Sequence, residues 1–159
     1  MAATVLSFAN FKGGVGKTST TALVGYNLSN LGYKVLIIDF DAQANLTSLL
    51  LKTKSAVDDI ITIDKSLMGA INDQIPLTDI TIEIKKNLTL IPNAVDFSMY
   101  PRYLERNYDN ETDRVSFFKK LLEPLKSEYD FIFIDVPPTL SLLNDTALYA
   151  CDQIVVVLQ

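Results

Sequence analysis

The stretch Thr4-Val-Leu-Ser-Phe-Ala9-Asn10-Phe11-Lys12-Gly13-Gly14-Val15-Gly16-Lys17-Thr18-Ser19-Thr20 decides the fold. A short apolar run enters a glycine-rich loop, and the loop opens into a segment with helical spacing. That strand–loop–helix order is the context a phosphate-binding loop requires. Gly13, Gly14 and Gly16 let the backbone come close to phosphate oxygens without Cβ clashes and turn successive N–H groups inward, while the following helix adds partial positive charge. Val15 and Ser19 contribute backbone N–H groups to the same cradle. Lys17 is placed to reach β- and γ-phosphates, and the Thr18 hydroxyl to ligate Mg²⁺. The strict pattern G-x-x-x-x-G-K-[ST] is not met, because Phe11 stands where its first glycine belongs, and a second lysine, Lys12, follows at once. A glycine turn that merely caps a helix is the bland alternative, and Lys12 would then be solvated surface.

Outward from the loop, four further apolar runs appear: Lys34 to Asp39, Leu88 to Ile91, Asp130 to Asp135 and Ile154 to Leu158. They are β-branched or aromatic and do not alternate, as expected of strands buried on both faces. The fold class is therefore α/β: a mainly parallel β-sheet with helices on both faces. Thr18 to Leu31 reads as a helix packed around most of its circumference, with Gly32 as its cap. Arg114 to Lys126 reads as an amphipathic surface helix, with Val115, Phe118, Leu121, Leu122 and Leu125 on its apolar face. Lys52 to Lys86 is polar and mixed, and reads as one or two short helices and a short strand near Ile80 to Ile84. The final apolar run reads as strongly buried, and a parallel sheet covered on both faces would need another crossover helix after it, so residues 1–159 are expected to be a C-terminally truncated copy of the fold from a longer protein.

Two of these runs end in carboxylates at the edge where open α/β sheets bind ligands. Val35-Leu-Ile-Ile-Asp39-Phe-Asp41 places Asp39 to orient a Mg²⁺ shell and Asp41 to polarise an attacking water. Asp41 as an ordinary turn or cap residue is the alternative. Tyr129-Asp-Phe-Ile-Phe-Ile-Asp135-Val-Pro137-Pro138 ends in Asp135, placed to hold Mg²⁺ through water, and the two prolines force a sharp exit.

Composition narrows the choice of chemistry. The 159 residues are 48% hydrophobic and 21% charged, the range of one folded domain, residues 1–159. Fourteen basic against nineteen acidic residues give a net charge of −5, so the chain as a whole is no polycation for coating nucleic acid. With no histidine and a single cysteine, Cys151, neither a His/Cys zinc site nor a Ser-His-Asp triad can form. No apolar run approaches the ~20 residues of a membrane span, so a cytoplasmic chain is expected.

Lys12-Gly-Gly-Val-Gly-Lys17-Thr18 resembles the deviant Walker A motif of the ParA/MinD ATPases, whose mark is the additional lysine. The resemblance implies a P-loop NTPase fold that binds ATP and Mg²⁺, and it casts Lys12 as a residue that reaches across a nucleotide-sandwiched homodimer. Asp39-Phe-Asp41-Ala42-Gln43-Ala-Asn45-Leu-Thr47 is similar to the switch I segment of ParA proteins. It departs from their pattern at Ala42, where they carry proline. The glutamine–asparagine pattern is the ParA/Soj form rather than the MinD one. Asp41 matches the residue that supports hydrolysis, Asp135 a Walker B carboxylate, and Pro137-Pro138 onward switch II. Pro92-Asn93 is similar to a family strand end. The nitrogenase iron-protein branch needs paired cysteines, which Cys151 alone cannot supply.

By this resemblance the chain is expected to be a ParA-type partition ATPase that serves plasmid or chromosome segregation. Lys12, Lys17 and Asp41 would carry the chemistry, residues Lys12 to Ser19 the phosphates, and Thr18, Asp39 and Asp135 the metal. The implied partners are a second copy with ATP, a ParB-type centromere-binding protein, and DNA of any sequence held by residues beyond Gln159, with association to the nucleoid in the ATP form and no membrane. A MinD-like membrane-associated regulator and a P-loop phosphotransferase acting on a small molecule are the alternatives.

Overall fold

In the computed structural model, which describes residues 2–10, 12–55 and 62–158, six strands form one sheet in the order β3-β4-β2-β5-β1-β6. They are β1 (Thr4–Ala9), β2 (Val35–Asp39), β3 (Ile82–Lys85), β4 (Leu88–Ile91), β5 (Phe131–Asp135) and β6 (Gln153–Val156). Every pairing is parallel except that of the edge strand β3 with β4. Asp58 and Asp59 lie outside the described residues.

The apolar runs pack on both sides. In β2, Val35 and Ile37 face a cluster with Ala22 of α1 (Lys17–Asn30) and with Leu46 and Leu50 of α2 (Asn45–Ser55). The intervening Leu36 and Ile38 face a second cluster, built with α3 (Leu67–Asn72), α4 (Tyr100–Asn107), α5 (Glu111–Leu122) and α6 (Leu142–Ala150). All four β2 residues are fully buried. At about 1.5–3 kcal/mol for each large apolar side chain removed from water, these two layers hold the sheet in place. Phe40, Phe97, Tyr100 and Phe118 form an aromatic cluster within the second layer, with ring centroids 4.5–5.5 Å apart about Phe40.

Three expectations are corrected. Helix α1 buries one face only: Gly25 and Ala22 sit against the sheet, while Leu23 is 63% and Tyr26 38% exposed. Its end matches the sequence, since Gly32 has φ +94° and the Gly32 and Tyr33 N–H groups donate back to the Ser29 and Leu28 carbonyls. The amphipathic helix α5 starts at Glu111, earlier than expected, because the Asn110 side chain accepts the Asp113 N–H and caps it. The last strand begins at Gln153 rather than Ile154, and its four residues are exposed, as β1 alone pairs with it among the described residues.

Candidate functional site

Strand order sets the site. Because β5 lies between β1 and β2, the loop leaving β1, the carboxylate ending β5 and the carboxylate ending β2 emerge side by side, and Asp39 pairs in register with Asp135. Sequence reasoning anticipates this edge.

The loop itself bends where glycine is needed. Gly14 (φ +72°) and Gly16 (φ +81°) adopt left-handed backbone, which side chains with Cβ resist. Gly16 caps α1 without any side-chain bond, and the first turn of α1 carries no acidic residue. Among the described residues the N–H groups of that turn therefore have no side-chain acceptor, and no acidic residue of the first turn offsets the positive end of this 14-residue helix. Facing it is a cleft of about 400 Å³, lined by Gly14, Val15, Gly16, Lys17, Thr18, Ser19, Asp41, Asn45, Val136 and Pro138. A slightly larger cavity, about 440 Å³, lies among α3, α4 and α5. It is mostly apolar and shares no residue with this edge, so the chemistry belongs to the smaller, polar cleft.

Lys17 is buried to 6% exposure, and its ammonium donates to the Lys12 carbonyl at 3.0 Å. The Lys12 N–H donates to Asn10 Oδ1 at 2.8 Å, and Asn10 Nδ2 donates to the Val157 carbonyl, tying the loop to the end of β6. Lys12 is exposed and its side chain does not line the cleft.

The Thr18 hydroxyl donates to Asp135 Oδ2 at 2.8 Å. The other oxygen, Asp135 Oδ1, is buried with no hydrogen-bond partner among the described residues. An orphaned carboxylate oxygen out of contact with water calls for a cation or a proton. Burial pushes the Asp135 carboxyl up to about 7. The Thr18 bond opposes that shift, Asp39 and Asp41 reinforce it, and Lys17 opposes it.

Asp39 has a different setting. Both of its oxygens are taken by the segment that follows: Oδ2 by the N–H and hydroxyl of Thr47 on α2, each at 2.8 Å, and Oδ1 by the Asp41 N–H at 3.1 Å. Burial raises its carboxyl above the usual range, and the Thr47 bonds offset part of the rise. Asp41 reaches the cleft, with its Oδ1 accepting the Gln43 N–H at 2.9 Å. The structure thus brings Lys17, Thr18, Asp135 and Asp41 together, and turns Asp39 toward the loop and Lys12 toward solvent.

The sequence reading passed over two buried asparagines as site residues. Asn93, at the end of β4, is 1% exposed and contacts the Asp41 segment. Asn144 of α6 donates through Nδ2 to the Pro137 and Thr139 carbonyls and so grips the loop after β5. The signal for the first was an amide directly following an apolar strand and proline, where a buried polar group needs a structural reason.

Residues 3–159 match the AAA_31 family, described as an AAA domain. The chain belongs to that family. It is 36% identical to the chromosome-partitioning ATPase Soj of Treponema pallidum, an alignment covering 97% of this chain and 56% of the relative. Against the sporulation initiation inhibitor protein Soj of Bacillus subtilis it is 35% identical, covering 98% and 58%. These relatives uphold the ParA/Soj-type recognition. The chain spans little more than half the length of the Soj proteins it matches. Among solved structures, cobyrinic acid a,c-diamide synthase from Mycobacterium smegmatis with bound ADP and magnesium has a TM-score of 0.83 at 29% identity, covering 98% of this chain and 60% of that one. An alanine variant of Cyanothece McdA in complex with ATP scores 0.83 at 28% identity, covering 98% and 56%. The α/β, P-loop NTPase fold expected from the sequence is the fold of the AAA_31 chain. Among the described residues no helix is long and apolar enough to cross a membrane.

Proposed function

We propose that this AAA_31 domain is the nucleotide-binding part of a ParA/Soj-type partition ATPase, binding ATP with Mg²⁺ and hydrolysing it slowly. The observation that carries the reading is the Thr18–Asp135 hydrogen bond beside the orphaned Asp135 Oδ1, set against the uncapped N-terminus of α1. The phosphates would lie along residues Lys12 to Ser19, with backbone N–H groups and the helix dipole as donors. Lys17 would leave the Lys12 carbonyl or share its protons with the β- and γ-phosphates.

The donor set fits magnesium. No group of three or more His, Cys, Asp or Glu that could hold a metal exists among the described residues, so one hydroxyl, one carboxylate, phosphate oxygens and water would complete the shell. Thr18 and Asp135 would hold the ion, with Asp39 acting from behind by fixing the loop. Bound there, Mg²⁺ would neutralise charge on the β- and γ-oxygens. Asp41, on the cleft wall, would orient and polarise the attacking water.

Lys12, exposed at the mouth, fits a role on the phosphates of a second copy in an ATP-dependent dimer. A ParB-type activator and sequence-independent DNA, engaged through parts of the protein beyond residue 159, complete the partition reading, with the ATP form on the nucleoid. The Soj relatives support this reading. The likeness to cobyrinic acid a,c-diamide synthase favours a second one, in which the same loop serves chemistry on a small molecule. The two are separated by Asp41→Ala: a partition ATPase should keep ATP binding and lose roughly 10²-fold in hydrolysis without any added acceptor. Undiminished hydrolysis would return Asp41 to the role of a turn residue.

A further inference from the structure

Asn93 lies at the exit of β4, one strand beyond β2, and does not line the cleft. Its amide is nevertheless buried, and its bonds run toward the site. Oδ1 accepts the Ala94 N–H at 2.9 Å, which fixes the orientation of the amide and leaves Nδ2 facing the Asp41 carbonyl at 3.4 Å. The backbone N–H of Asn93 donates to Thr47 Oγ1 at 3.0 Å, and that hydroxyl donates onward to Asp39. The strand exit is itself fixed from the other side, since the Leu67 N–H at the start of α3 donates to the Pro92 carbonyl at 3.0 Å.

The segment on the receiving end needs such a brace. Asp41 to Ala44 is a tight turn closed by the Ala44 N–H on the Asp41 carbonyl, and Ala44 sits at φ +52°, in the left-handed region that alanine avoids. Backbone of that kind persists only where its surroundings over-determine it. Thr47 holds Asp39 just ahead of the turn, and Asn93 reaches the Asp41 carbonyl itself from β4, outside the segment running from Asp39 to Thr47.

We infer that Asn93 is a positioning residue for hydrolysis, its amide holding the Asp41 main chain so that the Asp41 carboxylate faces the cleft. The inference rests on the reading of Asp41 as the water-polarising group. At 3.4 Å this contact is long for an N–H···O bond and the weaker of the two that the Asn93 side chain makes, so the main-chain restraint it adds is modest.

The test is steady-state ATP hydrolysis by the wild-type protein, Asn93→Ala, Asp41→Ala and the double variant. Asn93→Ala should lower kcat about 10-fold and leave KM for ATP within about 2-fold, because a displaced carboxylate harms the reaction and not phosphate binding. Asn93→Ser, which keeps a polar group near Ala94 but is too short to reach Asp41, should behave the same way and serves if the alanine variant does not fold. The double variant should be no slower than Asp41→Ala, since Asn93 acts through a carboxylate already gone. Losses that multiply, or a KM that rises while kcat holds, would overturn the positioning role. An Asp41→Ala protein with full turnover would be a different failure, that of the functional reading itself.

Discussion

Replacing Asp135 by Asn should remove most of the pH dependence of stability between about pH 5.5 and 8. With its folded pKa near 7 against an ordinary 3.8, the native state binds more protons than the unfolded chain across that gap. Stability therefore falls as pH rises through the window and levels off above about pH 8. The full gap of roughly three pKa units corresponds to about 4 kcal/mol, and the part crossed between about pH 5.5 and 8 to about 2 kcal/mol. The window is unusually clean because the chain has no histidine, and burial pushes the Cys151 thiol up to about 12. The α-amino group and Asp39 are common to both proteins. Urea melts without nucleotide or Mg²⁺, at half-unit steps of pH, would read the difference directly. A wild-type profile that is flat or rises toward pH 8, or an Asn variant with the wild-type slope, would refute the argument that Asp135 is a desolvated carboxylate awaiting a cation.

Lys12→Ala should keep nucleotide affinity in the monomer and abolish the ATP dimer, seen by light scattering in an Asp41→Ala background that cannot empty the site; a persisting dimer would exclude action across the interface. The complete protein with ATP should bind DNA duplexes of unrelated sequence with similar affinity, falling steeply as salt rises in a filter or anisotropy titration. ATP-dependent vesicle binding in its place would point to a MinD-like protein. Gly25→Ala should destabilise the fold by about 1–2 kcal/mol despite alanine's better helix propensity, because the new Cβ would lie 2.6 Å from Ile37 Cδ1. In an Ile37→Val background, where that methyl is gone, thermal melts should show the penalty largely relieved.

Much of this architecture was legible because the sheet is buried on both faces. The runs at β1 and β4 coincide with their strands to the residue, and those at β2 and β5 to within one, since continuous apolar sequence and double-sided burial are the same fact seen twice. The same rule marks β6 as a strand that a further crossover helix would cover. Ile154, Val155 and Val156 have the composition of a core strand, yet pattern reports what a segment could bury and not what is there to cover it. For α1 the lack of charge after Lys17 suggested packing around most of the circumference, while Leu23 and Tyr26 face outward. The start of α2 at Asn45 carried no helix reading, lying inside the segment compared with switch I. At the site, residue types and spacing placed Lys17, Thr18, Asp41 and Asp135. They could not show that Asp39 spends its oxygens on Thr47 and Asp41, or that Asn93 reaches over from another strand. The first depends on how the chain after β2 folds back on Asp39, and the second on the register between β2 and β4, and no apolar pattern encodes either.

The central claim is that the loop before α1 is a nucleotide-phosphate cradle with Lys17 as its main cation. Calorimetric titration of ATP with Mg²⁺ into the wild-type and Lys17→Ala proteins tests it most directly. Each charge-assisted hydrogen bond from the ammonium to a phosphate oxygen is worth about 1.5–3 kcal/mol, and in the proposed role Lys17 would face two phosphates, so its removal should weaken binding roughly a hundredfold or more. Saturable binding by the wild type and none measurable for the variant is the expected result; equal affinity in the two proteins would contradict it.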